Sequence, residues 1–271
     1  MNHNGSTHEC WIYIPDDTNS PMSADQYAVV YQKAEDPSHG LCSAGNAEHN
    51  ENESACTSAG HTWTDLKTTK KAVTIWHTYQ YQNPLDSSGR VFDMHFMIGS
   101  GDFKSIKHEI TALETDTWHH IAFVYERATT ERIRVYKNGQ HISKTEVNQA
   151  ELDDITAAGG KIRIGWSDTR HGGHADAYMT EYDTINGHTN TPVPFRGLLD
   201  ELRVWLGPRS ADKIKRYYKR NVDNQDNLLV CYRFNEPPTS THVYGARSVI
   251  LDFSGNSLHN IIINSRFGQT T

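Results

Sequence analysis

With 271 residues, the chain is long enough for one large all-β domain or two modest ones, with a proper buried core. A net charge of −7 denies it the basic face that a phosphate backbone requires, which excludes nucleic acid as a partner. Its longest apolar stretches are strand-sized, so the sequence carries no helical membrane span.

Met1-Asn-His-Asn-Gly5 shows no basic region followed by an apolar one, so no secretory leader is visible. The first strand-like run, Glu9-Cys-Trp-Ile-Tyr-Ile-Pro15, places Cys10 among apolar neighbours; Cys231 sits in a similar run, and both read as small buried hydrophobes. Residues 36 to about 69 read as an insertion. Within it, Cys42 and Cys56 flank a polar, Gly/Asn/Glu-rich stretch too poor in core formers to order itself by burial. A disulfide would close that loop; two free thiols in an insertion are the alternative.

Further along, Ile121-Ala-Phe-Val-Tyr125, Arg132-Ile-Arg-Val-Tyr-Lys137, Lys161-Ile-Arg-Ile-Gly165 and Glu201-Leu-Arg-Val-Trp205 are β-branched and aromatic. Several alternate apolar with polar, the period of a half-buried strand. In Trp118-His-His-Ile-Ala-Phe-Val-Tyr125, that alternation predicts one histidine on the core face and the other outward. Asn138-Gly139 between two such runs signals a tight hairpin. Residues 167 to 194, polar and Gly-rich, read as a second insertion on a rim. Ser210, followed by Asp212 and by Ile214, Tyr217 and Tyr218 at helical spacing, predicts one short peripheral helix. Many short strands with Gly-rich turns predict an all-β, two-sheet antiparallel jelly-roll sandwich.

Five of these motifs, in order, resemble the laminin-G-like jelly roll of the concanavalin A-like lectin/glucanase superfamily. They are Glu9-Cys-Trp-Ile-Tyr-Ile-Pro15, Thr117-Trp-His-His-Ile-Ala-Phe-Val-Tyr125, Val135-Tyr-Lys-Asn-Gly139, Ile162-Arg-Ile-Gly165 and Phe195-Arg-Gly-Leu-Leu-Asp-Glu-Leu-Arg-Val-Trp205. They span roughly residues 9 to 220, and the domain is expected over residues 1–225. The remaining segment, 226–271, contains Leu228-Leu-Val-Cys-Tyr-Arg-Phe-Asn-Glu236 and a run from Val249 to Asn260. In the resemblance these are opening motifs. The segment therefore either completes the same sandwich in permuted order or begins a next repeat. The cysteine loop, closing on Cys56-Thr-Ser-Ala-Gly-His-Thr-Trp63, is similar to arrays in phage or viral virion proteins and bacterial adhesins.

The resemblance also implies a calcium ion held by Asp200, Asp252 and Asn256; an Asx-type turn at 252 and an exposed strand-edge acid at 200 are the alternative. Asp168, His171, His174 and Asp176 lie close enough in sequence to ligate a transition metal, but Gly172-Gly173 favours a solvated polar loop. Glu181-Tyr-Asp-Thr-Ile-Asn186 falls short of the Glu-x-Asp-x-x-Glu strand of related glucanases, because Asn186 cannot donate a proton as an acid. The basic run from Lys213 to Arg220 reads as the solvated face of the short helix rather than a phosphate or sulfate site.

For sugar stacking, the candidates are Trp166, Tyr178 and Tyr182, with His171 and His174 beside them on the rim loop. These readings converge on a non-catalytic module at an extracellular or virion surface. It would bind a surface glycan or neighbouring structural subunits, with a homo-oligomer in a larger assembly as its candidate state and calcium as its one candidate cofactor.

Overall fold

The computed structural model describes residues 4–16, 26–34, 40–43, 53–65, 71–79, 91–100, 105–146, 161–165, 191–193, 195–235, 243–244 and 247–261. Along these residues the first strands are Gly5–Tyr13 (β1), Gln26–Ala34 (β2) and Gly40–Cys42 (β3). A short helix, Glu53–Ser58 (α1), is followed by Trp63–Asp65 (β4), Lys71–Tyr79 (β5), Val91–Ser100 (β6) and Ser105–Glu114 (β7). Next come Trp118–Glu126 (β8), Glu131–Lys137 (β9), Gln140–Glu146 (β10), Lys161–Ile164 (β11), Thr191–Val193 (β12) and Leu198–Leu206 (β13). Helix Ala211–Tyr217 (α2) precedes Leu228–Tyr232 (β14), Val243–Tyr244 (β15), Arg247–Ile250 (β16) and Asn260–Ile261 (β17).

The chain divides into two compact units. The first comprises residues 1–14, 116–146 and 197–271, and the second 15–115 and 147–196. The second unit holds a sheet ordered β11-β2-β5-β6-β7, antiparallel throughout, with β12 added parallel to β2. Ala28, Val30, Tyr31, Ile75, Met94 and Phe96 are its buried side chains in the middle strands.

The first unit holds a six-stranded antiparallel sheet ordered β10-β9-β8-β1-β13-β14. The predicted hairpin joins β9 to β10. Asn138 and Gly139 both take positive φ, 51° and 77°, as a type I′ turn requires. Gly139 is also a close-approach site, because a Cβ there would stand 2.8 Å from the Tyr218 ring. The predicted helix is α2: Ser210 caps it by accepting from the Lys213 amide at 3.4 Å, and Ile214 is buried against Ala122, Val124 and Tyr136.

Two expectations need correcting. His119 and His120 are both buried, at 2% and 1% exposure, instead of one facing outward. Alternation does put them on opposite faces of β8, but α2 covers the second face, so the strand is enclosed on both sides. A second helix, α1, lies in the segment expected to be only an insertion. It ends in a Schellman motif: Gly60 adopts φ 79°, its amide bonds Thr57 O, and the His61 amide bonds Cys56 O. The overall architecture is all-β, strand-rich and antiparallel, that of the jelly-roll class.

Candidate functional site

Within the first unit, the sheet face beneath α2 is mixed, with Ala122, Val124 and Tyr136 under Ile214 and a cluster of polar side chains beside them. Register and alternation place Glu9, Trp11 and Tyr13 of β1 on this face, opposite Ala122, His120 and Trp118 of β8. Between β1 and β13 the pairing steps from Glu9–Arg203 to Trp11–Asp200, so two residues of β13, Glu201 and Leu202, oppose one of β1, Cys10. The bulge lies at Glu201, a non-glycine residue at φ 48° and only 7% exposed. Its amide is received by Asp200 Oδ1 at 2.8 Å, which holds the strained turn.

Arg203 is the hub. Its Nε and Nη2 donate to Glu201 Oε2 at 3.1 and 2.9 Å, and its Nη1 lies 3.6 Å from Glu9 Oε1. The same guanidinium donates to Tyr217 O at 3.2 Å and Arg220 O at 2.7 Å, while Trp11 Nε1 donates to Tyr218 O at 3.0 Å. These donors reach carbonyls at the end of α2 and in the turn that follows it, where Tyr217 O also accepts from the Arg220 amide at 3.0 Å, and they fasten the helix to the sheet. Glu9 also accepts from Trp205 Nε1 at 2.8 Å, with Arg209 Nη1 at 3.7 Å and His120 Nε2 at 3.5 Å. Arg209 lies over the Trp205 ring, 3.7 Å from its centroid.

Burial alone would raise the Glu9 carboxyl, but His120, Arg203 and Arg209 overcome that and hold it at about 2. Nearby thiols move the other way. Burial, helped by the charge of Glu9, pushes Cys10 up to about 12, and burial with the charge of Glu201 does the same for Cys231.

Two residues further along the same strands the covering stops. Tyr13 opposes Trp118 on one side and Leu198 on the other. Trp118 is 39% and Leu198 57% exposed. The Tyr13 and Trp118 rings lie 5.6 Å apart at 46°, and the Tyr13 hydroxyl donates to Asp116 Oδ1 at 3.1 Å. That hydrogen bond raises the tyrosine pKa, so Tyr13 remains a protonated donor. Asp116 is exposed, takes φ 57° in the turn before β8, and is anchored by its amide on Ile14 O at 2.9 Å.

Of the residues singled out from sequence, the structure brings Asp252 and Asn256 together. Asp252 Oδ1 accepts from the amides of Cys231 and Ser254, each at 2.9 Å. Its Oδ2 accepts from Ser254 Oγ at 2.7 Å and Leu258 N at 3.0 Å. Asn256 Nδ2 donates to Leu228 O and Leu229 O at 2.7 and 3.0 Å, and to Ser254 Oγ at 3.1 Å. The turn at 252 is therefore an Asx-type staple onto β14. It does not fit a calcium ion, which needs about six to eight oxygens whose lone pairs point at the metal. Here N–H and O–H donors occupy both carboxylate oxygens. Asp200 is engaged at the β13 bulge, its carboxyl raised by burial against the Glu201 amide and the charges of Arg203 and Arg233. Among the described residues, no three His, Cys, Asp or Glu side chains gather as a metal site.

Trp166, His171, His174, Tyr178 and Tyr182 lie outside the described residues, as do Asp168, Asp176 and the 181–186 segment. Cys42 ends β3, and Cys56 is buried in α1. Sequence reasoning missed Tyr13, Asp116 and Trp118 as a group. The alternate positions Glu9, Trp11 and Tyr13 on one strand were the available signal.

Two antiparallel sheets, with a helix packed over a mixed sheet face and aromatic side chains open at its end, define a lectin-like jelly-roll class of protein. A laminin-G-like profile of the concanavalin A-like lectin/glucanases superfamily matches residues 61–215, more than half of the chain, and the chain belongs to this superfamily. No curated protein matches it. Among solved structures, it is similar to a candidate carbohydrate-binding protein from Bacteroides ovatus, at 16% identity and TM-score 0.47, covering 97% of this chain and 52% of that one. It is also similar to a serum-amyloid-P-like pentraxin from Limulus polyphemus (13% identity, TM-score 0.38, 79% of this chain and 69% of that one). A third is the botulinum neurotoxin serotype D binding domain, at 12% identity and TM-score 0.41, covering 84% of this chain and 40% of that one. The chain thus spans about half the length of the first of these structures.

Proposed function

We propose that the protein is a non-catalytic carbohydrate-binding module of a larger extracellular or virion-surface protein. Its superfamily holds both lectins and glucanases, and the observation that carries the choice is the state of Glu9 and Glu201. A glycosidase acid needs a raised pKa and access to the glycosidic oxygen. Glu9 is held down at about 2 and is 1% exposed, and Glu201 is bound to Arg203. Both carboxylates serve the fold.

Residues 226–271 are read as part of the same module, which the antiparallel pairing of β14 with β13 supports. The Cys42–Cys56 bridge belongs to this reading too. Cys56 is disulfide-bonded whereas Cys10 and Cys231 are free thiols, and the chain has four cysteines.

A glycan array over microbial and host surface polysaccharides tests the function. Retention of at least one glycan, with no reducing sugar released, is expected. Loss of binding in Trp166→Ala would place a contact on the rim loop. No retention on any polysaccharide would overturn the reading in favour of a purely architectural subunit.

A further inference from the structure

We infer that Trp118, Tyr13 and Asp116 form a contact platform for a neutral pyranose ring at the open end of β1 and β8. This rests on the carbohydrate-binding reading and assigns it a second location, distinct from the 166–182 loop in sequence.

Three features carry it. The indole of Trp118 is exposed although its strand is buried from His119 to Tyr125. Trp118 pairs with Tyr13 of β1 but stands beyond the β8–β9 pairing, which begins at Ile121, so its ring lies past the buried part of the strand. Second, the platform has a fixed backbone. Tyr13 is flanked by paired strands on both sides, and the Asp116 turn is tied to Ile14 O, so the backbone that carries these side chains is in place before any ligand arrives. Third, the chemistry is mixed. Aromatic faces take up the C–H face of a sugar, and the carboxylate that already receives the Tyr13 hydroxyl is a strong acceptor for sugar hydroxyls.

The carboxylate also sets the class of sugar. An anionic uronate or sialate would meet like charge at Asp116, whereas a neutral hexopyranose would not. Leu198, exposed beside Tyr13, extends the apolar strip in the cross-strand direction, suiting a second ring of an oligosaccharide.

The experiment measures affinity of the full chain, and of Trp118→Ala, Asp116→Asn and Trp166→Ala, for each glycan retained on the array. Near-UV circular dichroism and thermal melting check that each variant folds. Trp118→Ala should weaken binding of neutral glycans about tenfold or more, equivalent to about 1.4 kcal/mol. Asp116→Asn should weaken it less while relieving discrimination against anionic sugars. If a folded Trp118→Ala binds as the parent chain does while Trp166→Ala loses affinity, the platform is overturned and the binding function stands. If the parent chain retains no neutral glycan, the platform is overturned; if it retains no glycan at all, the function falls with it.

Discussion

Beneath α2 and at the open end of the same strands, β1 and β8 present aromatic and acidic side chains on one face, yet the two regions do opposite work. Under the helix, Glu9, Arg203, Arg209 and Trp205 are paired and withdrawn from water, with half-buried Trp11 bonded to Tyr218 O beside them. Two residues on, Tyr13, Trp118 and Asp116 pair with one another but stay open to solvent. Residue type does not distinguish them; coverage does. An acid under the helix is a structural counter-ion, whereas the acid beyond it would serve recognition in the proposed platform.

The largest expected effect comes from the hub. Arg203→Met removes the bidentate partner of Glu201, one of the cations beside Glu9 and the donor to Arg220 O. It should cost about 3–5 kcal/mol in urea unfolding, enough to unfold a marginal domain. A cost under about 1 kcal/mol would erase the distinction between the closed and open regions.

Next is acid sensitivity. Despite burial, His120, Arg203 and Arg209 hold the Glu9 carboxyl at about 2 in the folded protein, below its ordinary 4.5, so it binds protons more readily in the unfolded chain. Its stabilisation is complete above pH 4.5 and is lost as pH falls toward 2, a contribution on the order of 3 kcal/mol. Glu9→Gln should flatten the stability profile across that window. An unchanged acid limb would show that Glu9 is not ionised in the folded state.

Asp252→Ala removes four accepted hydrogen bonds and should cost about 2–3 kcal/mol. Added calcium should leave the melting temperature of the parent chain unchanged; a rise of several degrees would assign the turn a cation after all. Thiol titration is a count: none accessible in the folded protein, two after denaturation, four only after reduction as well. Four without reductant would remove the Cys42–Cys56 bridge. The smallest stability effect is at the open end, where Trp118→Ala loses one cross-strand aromatic pair and should cost about 1 kcal/mol or less.

Much of the fold was legible because it is written in local signals. Asn138-Gly139 demanded its hairpin, Ser210 with Ile214 demanded α2, and the alternating runs from 121 to 137 demanded strands. The polar site was less legible. Alternation assigned His119 and His120 to opposite faces but could not reveal that α2, nearly a hundred residues later in the chain, would cover the second. Likewise, Asp200 and Asp252 looked like ligands because carboxylates beside turns serve equally as cation ligands and as acceptors for backbone amides. Only the positions of the Cys231, Ser254 and Leu258 amides separate those roles. The bulge at Glu201, which turns that acid toward Arg203, leaves no residue-type signal at all.

One measurement tests the central division between paired interior acids and an open recognition surface. The protein is incubated with each polysaccharide it retains, and reducing ends are counted over time for the parent chain and for Glu9→Gln and Glu201→Gln. Binding without any new reducing ends is the predicted result. Steady release by the parent, abolished in a folded Glu201→Gln, would contradict it.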